Sequence, residues 1–196
     1  MREILATMLF VFCVACGFCA ACGGIHPEGG AIDSDLFGIY TIDDYLIDLD
    51  GCDDAADLTP PPATRIVLYG YNQEGSSEIC LAGSFCSSVR ACRDVAHAAL
   101  TPLMGYSFVE GDDDGGWTGF AFAGGPSYNG ERFGLVQEHM LIRTADGIRA
   151  ETRTLESLGH PSYENGSCNN ADARRTIMGQ PCVELLVLEG TFEAGL

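Results

Sequence analysis

Ten cysteines, four histidines and two acidic runs are the groups of this 196-residue chain able to do chemistry. Four cysteines (13, 16, 19 and 22) lie in one apolar leader. The other six are Cys52, Cys80, Cys86, Cys92, Cys168 and Cys182. An even set of that kind reads as a disulfide framework, for which 15 connectivities exist. Cys86 and Cys92 bracket a helix start, and Cys168 and Cys182 bracket a short segment. The expected pairs are therefore Cys86–Cys92, Cys168–Cys182 and, by elimination, Cys52–Cys80. The geometry of a bridge then requires residues 86–88 to lie outside the helix. None of the six sits in a C-x-x-C pair, and the one C-x-x-C, Cys16 to Cys19, is embedded in the leader. Thiol–disulfide exchange chemistry is not indicated. Glu110, Asp112 and Asp114, followed by Gly115, set oxygen ligands at alternate positions before a glycine, like the front half of a calcium loop. The twelfth position of such a loop would be Ala121 in place of a bidentate Glu, so the alternatives are an isolated Ca²⁺ site and a solvated acidic turn. Asp48, Asp50, Asp53 and Asp54 read as the turn ending a strand. His26, His97, His139 and His160 have no paired spacing, His139 and Glu138 point to opposite faces of a strand, and the run from Gly125 to Asn129 lacks a nucleophile elbow's last glycine. No catalytic set is readable, and no cofactor besides Ca²⁺ is suggested.

Residues 4–21 are almost unbroken apolar or small residues after a short polar start, as a secretory signal requires. The end of that stretch, Cys19-Ala20-Ala21-Cys22, resembles the lipobox of bacterial lipoproteins, in which two small residues precede the cysteine that receives diacylglycerol. Cys19 occupies the position where leucine is usual, and Cys16 is a second candidate. The resemblance implies lipid attachment at Cys22, export to the cell envelope, and the outer membrane if the cell has one, because Gly23 follows the cysteine. The alternative is an ordinary cleaved signal. Charge agrees with an acyl rather than a polybasic anchor: 28 acidic residues face 10 arginines, there is no lysine, and the formal net charge is −18. Loss of residues 1–21 removes Arg2 and Glu3 and leaves that value unchanged. Such a surface repels nucleic acid and anionic headgroups, and a chain without lysine has no Schiff base or P-loop.

The elements that would position these groups follow from pattern. Residues 1–21 form the signal, 22–36 a Gly-rich tether, and 37–196 one disulfide-stapled β domain. Strands are expected over residues 37–47, 64–71, 78–85, 106–109, 117–123, 133–144, 148–155 and 182–196. Asp146-Gly147 makes the hairpin between the sixth and seventh. In that hairpin Val136, Met140 and Ile142 are assigned to the core face, with Gln137, His139 and Arg143 wet. On the return strand Ile148, Ala150 and Thr152 alternate with Arg149, Glu151 and Arg153. Helical spacing marks residues 88–100, with Ser87 or Ser88 as N-cap, and a second short helix is expected over 169–178. Residues 57–63, 126–130 and 161–166 are read as loops.

These expectations amount to a mainly β protein, an antiparallel up-and-down barrel or strongly curved sheet of about eight strands with one or two short helices. Gly38-Ile39-Tyr40 resembles the Gly-x-aromatic start of lipocalin-like (calycin-type) barrels, with tyrosine in place of the usual tryptophan. That likeness implies a small exported carrier and brings no ligand-contact motif with it. Two function classes follow: a lipid-anchored binding or interaction protein for a small apolar ligand or a cationic envelope partner, and a structural envelope lipoprotein whose barrel is filled by its own side chains. The acidic loops at 48–57 and 110–114 are the expected contact surface.

Overall fold

A computed structural model describes residues 34–49, 52, 57–72, 79–98, 105–108, 110–122, 127–128, 131–132, 134–158, 163–164, 167–168 and 170–196. In chain order the strands are β1 (Gly38–Asp48), β2 (Asp57–Leu58), β3 (Arg65–Asn72), β4 (Ile79–Cys86), β5 (Gly105–Phe108), β6 (Glu110–Asp112), β7 (Gly116–Phe122), β8 (Ser127–Tyr128), β9 (Glu131–Arg132), β10 (Gly134–Arg143), β11 (Gly147–Ser157), β12 (Tyr163–Glu164), β13 (Ser167–Cys168) and β14 (Cys182–Ala194). The helices are α1 (Val89–Ala98) and α2 (Asn170–Ile177). Three of the presumed loops carry short pairings: β2 adds to β1, and β8–β9 and β12–β13 are two-residue ladders.

The main sheet has ten strands, with neighbours in the order β5-β4-β3-β1-β14-β11-β10-β7-β6 and β2 beside β1. Every pairing is antiparallel. Only residue 109 separates β5 from β6, and β5 lies against β7, so the two ends of the order meet. The result is a nearly closed barrel. With β5 and β6 taken as one strand and β2 set aside, the circuit is an up-and-down meander closed by the first and last long strands, β1 and β14. That pair runs in register from Ile39 opposite Ala194 to Asp48 opposite Leu185, broken by two bulges. Bulges bend and twist a strand, which closing a sheet demands.

The interior is filled by Ile66 and Leu68 of β3, Leu81 of β4, Phe108 of β5, Leu141 of β10, Ile148 and Ala150 of β11, and Leu188 of β14. Each such leucine or phenylalanine removed from water contributes about 1.5–3 kcal/mol. A second apolar layer lies outside. Ile39, Val67, Tyr69 and Ala82 turn outward and are covered by α1 through Cys92 and Val95. Phe120 and Val136 are covered by Ala173 and Ile177 of α2. This double burial explains why residues 65–71 show no alternation of polar and apolar types: one face fills the barrel and the other receives a helix. Ser88 caps α1, its Oγ accepting the Ala91 N–H at 3.2 Å.

The same geometry inverts the expected facing of β10. Leu141 and His139 point inward and are buried, Val136 lies beneath α2, and Ile142 is 43% exposed. An apolar residue on this strand marks α2 as often as it marks the interior. On β11 the alternation holds as read, with Ile148, Ala150 and Thr152 buried.

Candidate functional site

The two ends of the barrel differ. At one end lie the tight turns β6–β7 and β10–β11 and the β3–β4 connection of residues 73–78, and the chain enters β1 there. At the other end the long connections β1–β3, β4–β5, β7–β10 and β11–β14 emerge, and two of them carry the helices.

The first end is sealed. Asp113, in the β6–β7 turn, accepts hydrogen bonds from Ser34 Oγ at 2.8 Å, the Asp35 N–H at 2.8 Å and Trp117 Nε1 at 2.9 Å. Arg143 Nη2 lies 3.7 Å from the same carboxylate. Residues 34–37 are thereby strapped across the barrel end, with Leu36 and Trp117 buried beneath. The Tyr40 hydroxyl donates to the Leu36 carbonyl at 2.8 Å, and burial pushes its pKa up to about 12, against the opposing pull of Arg143. The turn itself needs glycine: Gly111 and Gly116 have φ of +133° and +92°, and a Cβ on Gly111 would collide with the Gly116 carbonyl.

Two of the three expected calcium ligands, Glu110 and Asp112, are engaged in this scaffold. Glu110 pairs with Arg174 of α2 at 2.8 Å, and that guanidinium also lies 5.3 Å from the centre of the Phe120 ring, so the carboxylate docks a helix. Asp112 Oδ1 accepts the backbone N–H groups of Asp114 and Gly115, closing the turn. Asp114 is exposed. Among the described residues no group of three His, Cys, Asp or Glu side chains is placed to hold a metal ion. The acidic run at 48–57 lies largely outside the described residues. A surface cleft of about 270 Å³ beside the β10–β11 turn is lined by Asp43, Asp146 and Glu189. Its carboxylates at 43 and 189 are engaged by Thr191 and Arg149.

The disulfides secure the other end. Cys86–Cys92 forms as expected, with Cα atoms 5.2 Å apart and Cys86 outside α1. Cys52 pairs with Cys182, Cα atoms 5.6 Å apart, which overturns both Cys168–Cys182 and Cys52–Cys80. The reason is topological: β14 returns beside β1, so its first residue meets the segment leaving β1, 130 positions away. The side chains of Cys80 and Cys168 lie outside the described residues, as does Cys22.

Between these bridges the inner wall carries a cluster that the sequence did not reveal. The Tyr45 and Phe85 rings meet edge to face, 6.2 Å between centroids and 89° between planes. Phe85 and Tyr106 follow at 5.9 Å, and Tyr106 meets His139 at 5.3 Å and 81°. Thr152 Oγ1 lies 3.0 Å from His139 Nδ1, and its hydroxyl draws the Tyr106 pKa down against the larger effect of burial. Higher on the wall Thr154 donates to Glu184 at 3.4 Å, and burial, followed by the Glu184 charge, raises the Tyr45 pKa. Burial also raises that of Tyr106 and lowers that of His139 to about 4, so the imidazole is neutral at pH 7. Tyr106, His139 and Thr152 are at most 5% exposed and form a floor, whereas Tyr45, Phe85 and Glu184 are half-buried above it. The readable signal would have been polar residues on the inner period of strands, Thr152 and Thr154 on β11 and Glu184 on β14.

The Thr152 hydroxyl meets the His139 imidazole here, but both are buried, and an imidazole held neutral by burial is poorly placed to take up a proton. What the arrangement offers is recognition: aromatic faces, a hydroxyl pair and a carboxylate on one concave wall. The chain matches no protein-family model, and neither a curated protein nor a solved structure is similar enough to match it.

Proposed function

We propose that the protein is an exported, lipid-anchored binding or interaction protein of lipocalin-like design whose ligand contacts the helix-bearing end of the barrel. The observation that carries this reading is the contrast between the ends. One is strapped shut by residues 34–37 and Asp113; the other gathers half-buried aromatic and polar side chains beneath long connections. The Cys19–Cys22 segment, the leader before it and two disulfides support export and an acyl anchor at Cys22. The middle of the barrel is packed by Ile66, Leu68, Leu81, Phe108 and Leu188, so the ligand sits at the wall's upper level and not deep inside. The same packing favours the second reading, a structural envelope lipoprotein with no small-molecule ligand.

Native mass spectrometry of protein extracted from its own envelope separates the two. A retained small molecule supports the binding reading. Protein that is uniformly free of ligand, and that takes up no lipophilic dye, favours the structural one. Intact mass of the same sample should show diacylglycerol on Cys22, and Cys22→Ser should release the protein or block its processing. A soluble mature form starting elsewhere overturns the anchor.

A further inference from the structure

Glu184 is out of keeping with its surroundings. It faces inward with Thr154 on a wall whose other side chains are aromatic, aliphatic or neutral polar, and it is half-buried. Carboxylates in such places are ordinarily matched by a cation. Arg65, Arg143, Arg149, Arg153 and Arg174 pair with Glu193, Asp35, Asp113, Glu151, Glu189 and Glu110, and none of these five reaches Glu184. Its recorded partner is the neutral Thr154 hydroxyl, at a long 3.4 Å. Tyr45 stands close enough to feel its charge, and the Tyr45 ring meets Phe85 at right angles, with Tyr106 tilted against Phe85. In such a contact the edge of one ring meets the face of the other, and the ring faces left uncovered attract cations, most strongly where water is partly excluded.

We propose that the helix-bearing end binds an organic ammonium ion, with its charge against Glu184 and the Tyr45 and Phe85 rings. This rests on the reading of that end as the ligand site and names the ligand's class. The aromatic walls supply the attraction that a methylated or alkylated ammonium can use without donating hydrogen bonds. Glu184 supplies the Coulomb partner, and the net charge of −18 concentrates cations around the molecule. An anionic amphiphile with the same tail would be repelled by both.

Isothermal titration calorimetry at physiological ionic strength, with hexyltrimethylammonium, hexanoate and hexanol as probes, tests this. The expected result is saturable binding of the ammonium probe, with no binding of hexanoate and weaker binding of hexanol. Glu184→Gln should weaken the ammonium probe about tenfold, and Phe85→Leu several-fold. Asp146→Asn removes an equal charge at the sealed end and should change nothing. Ammonium binding that is unaltered by Glu184→Gln, or that falls equally with Asp146→Asn, would overturn the proposal in favour of diffuse surface charge. Equal binding of all three probes would overturn it while leaving an apolar-ligand site at this end. No binding of any probe to folded wild-type protein would overturn both. The comparison among probes needs only the wild-type chain, so a variant that fails to fold does not decide the matter.

Discussion

Asp113 carries more of the fold than its neighbours in the same acidic run. Its two oxygens receive three hydrogen bonds and face Arg143, whereas Asp114 next to it is exposed. Removing a charged acceptor leaves donors unsatisfied, at roughly 1.5–3 kcal/mol for bonds of this kind. Asp113→Ala should therefore lower the urea-denaturation free energy by about 2 kcal/mol, and Asp114→Ala by less than about 0.5 kcal/mol. Equal effects of the two would remove Asp113 from its place as the clamp. His139 makes a second expectation through its protons. Its ordinary pKa of 6.5 falls to about 4 in the folded chain because burial disfavours the imidazolium. Below pH 6.5 the unfolded chain takes up a proton that the folded one refuses. Stability present above pH 6.5 is thus lost as pH falls toward 4, on the order of 3 kcal/mol over that window. Carboxylates add their own slope, so the measurement is the difference between wild type and His139→Gln in denaturation at pH 7, 6, 5 and 4. Parallel curves would mean that the imidazole is not buried in neutral form.

Bridges and helices show which parts of the design local sequence can carry. The α1 start was legible because Cys86, Ser88 and Cys92 lie within a stretch of seven residues, and the long strands were legible because β-branched and aromatic runs are bounded by turn residues. The Cys52–Cys182 bridge was not, because it depends on β1 and β14 lying side by side, which no spacing within either segment encodes. The facing of β10 failed for a related reason. Val136 is apolar because α2, from a segment some forty residues on, lies across it. Of the binding wall, only Thr152 was placed correctly, by the clean alternation of β11; Tyr45, Phe85 and Glu184 are joined solely by closure of the barrel. The bridges should differ in energetic weight accordingly. Chain-entropy arguments give about 5 kcal/mol for a loop as long as the 130 positions between Cys52 and Cys182, and about 2 kcal/mol for the six between Cys86 and Cys92. Thermal denaturation of the paired alanine variants should show Cys52→Ala with Cys182→Ala as the more damaging change. The reverse order would place the stabilising contribution at the α1 entry. Non-reducing peptide maps should recover both links, and a Cys168–Cys182 peptide would contradict the arrangement.

Taken as one charged body, the molecule holds its arginines outside, where Arg149, Glu151, Arg153 and Glu189 form a chain of pairs across β11 and β14. Those pairs are partly exposed, and each contributes about 0–1 kcal/mol. Against them stands a net charge of −18, whose mutual repulsion is greatest when the chain is compact. Salt weakens both terms, but unequally. Partners in contact are already close compared with a screening length of about 10 Å at 0.1 M, whereas the many unpaired carboxylates act over longer distances and are screened first. Repulsion therefore loses more than attraction does, and the folded state gains. The melting temperature should rise as sodium chloride increases from about 0.01 M, where the screening length is about 30 Å, to about 1 M, where it is about 3 Å. Differential scanning calorimetry in a buffer of fixed pH measures this directly. A fall would show that the arginine pairs outweigh the excess of negative charge. The same field acts on ligand entry, so the association rate of an ammonium probe should fall steeply over that range while hexanol is unaffected. A rate for the cation that does not depend on salt would mean that the acidic surface takes no part in bringing the probe to the helix-bearing end.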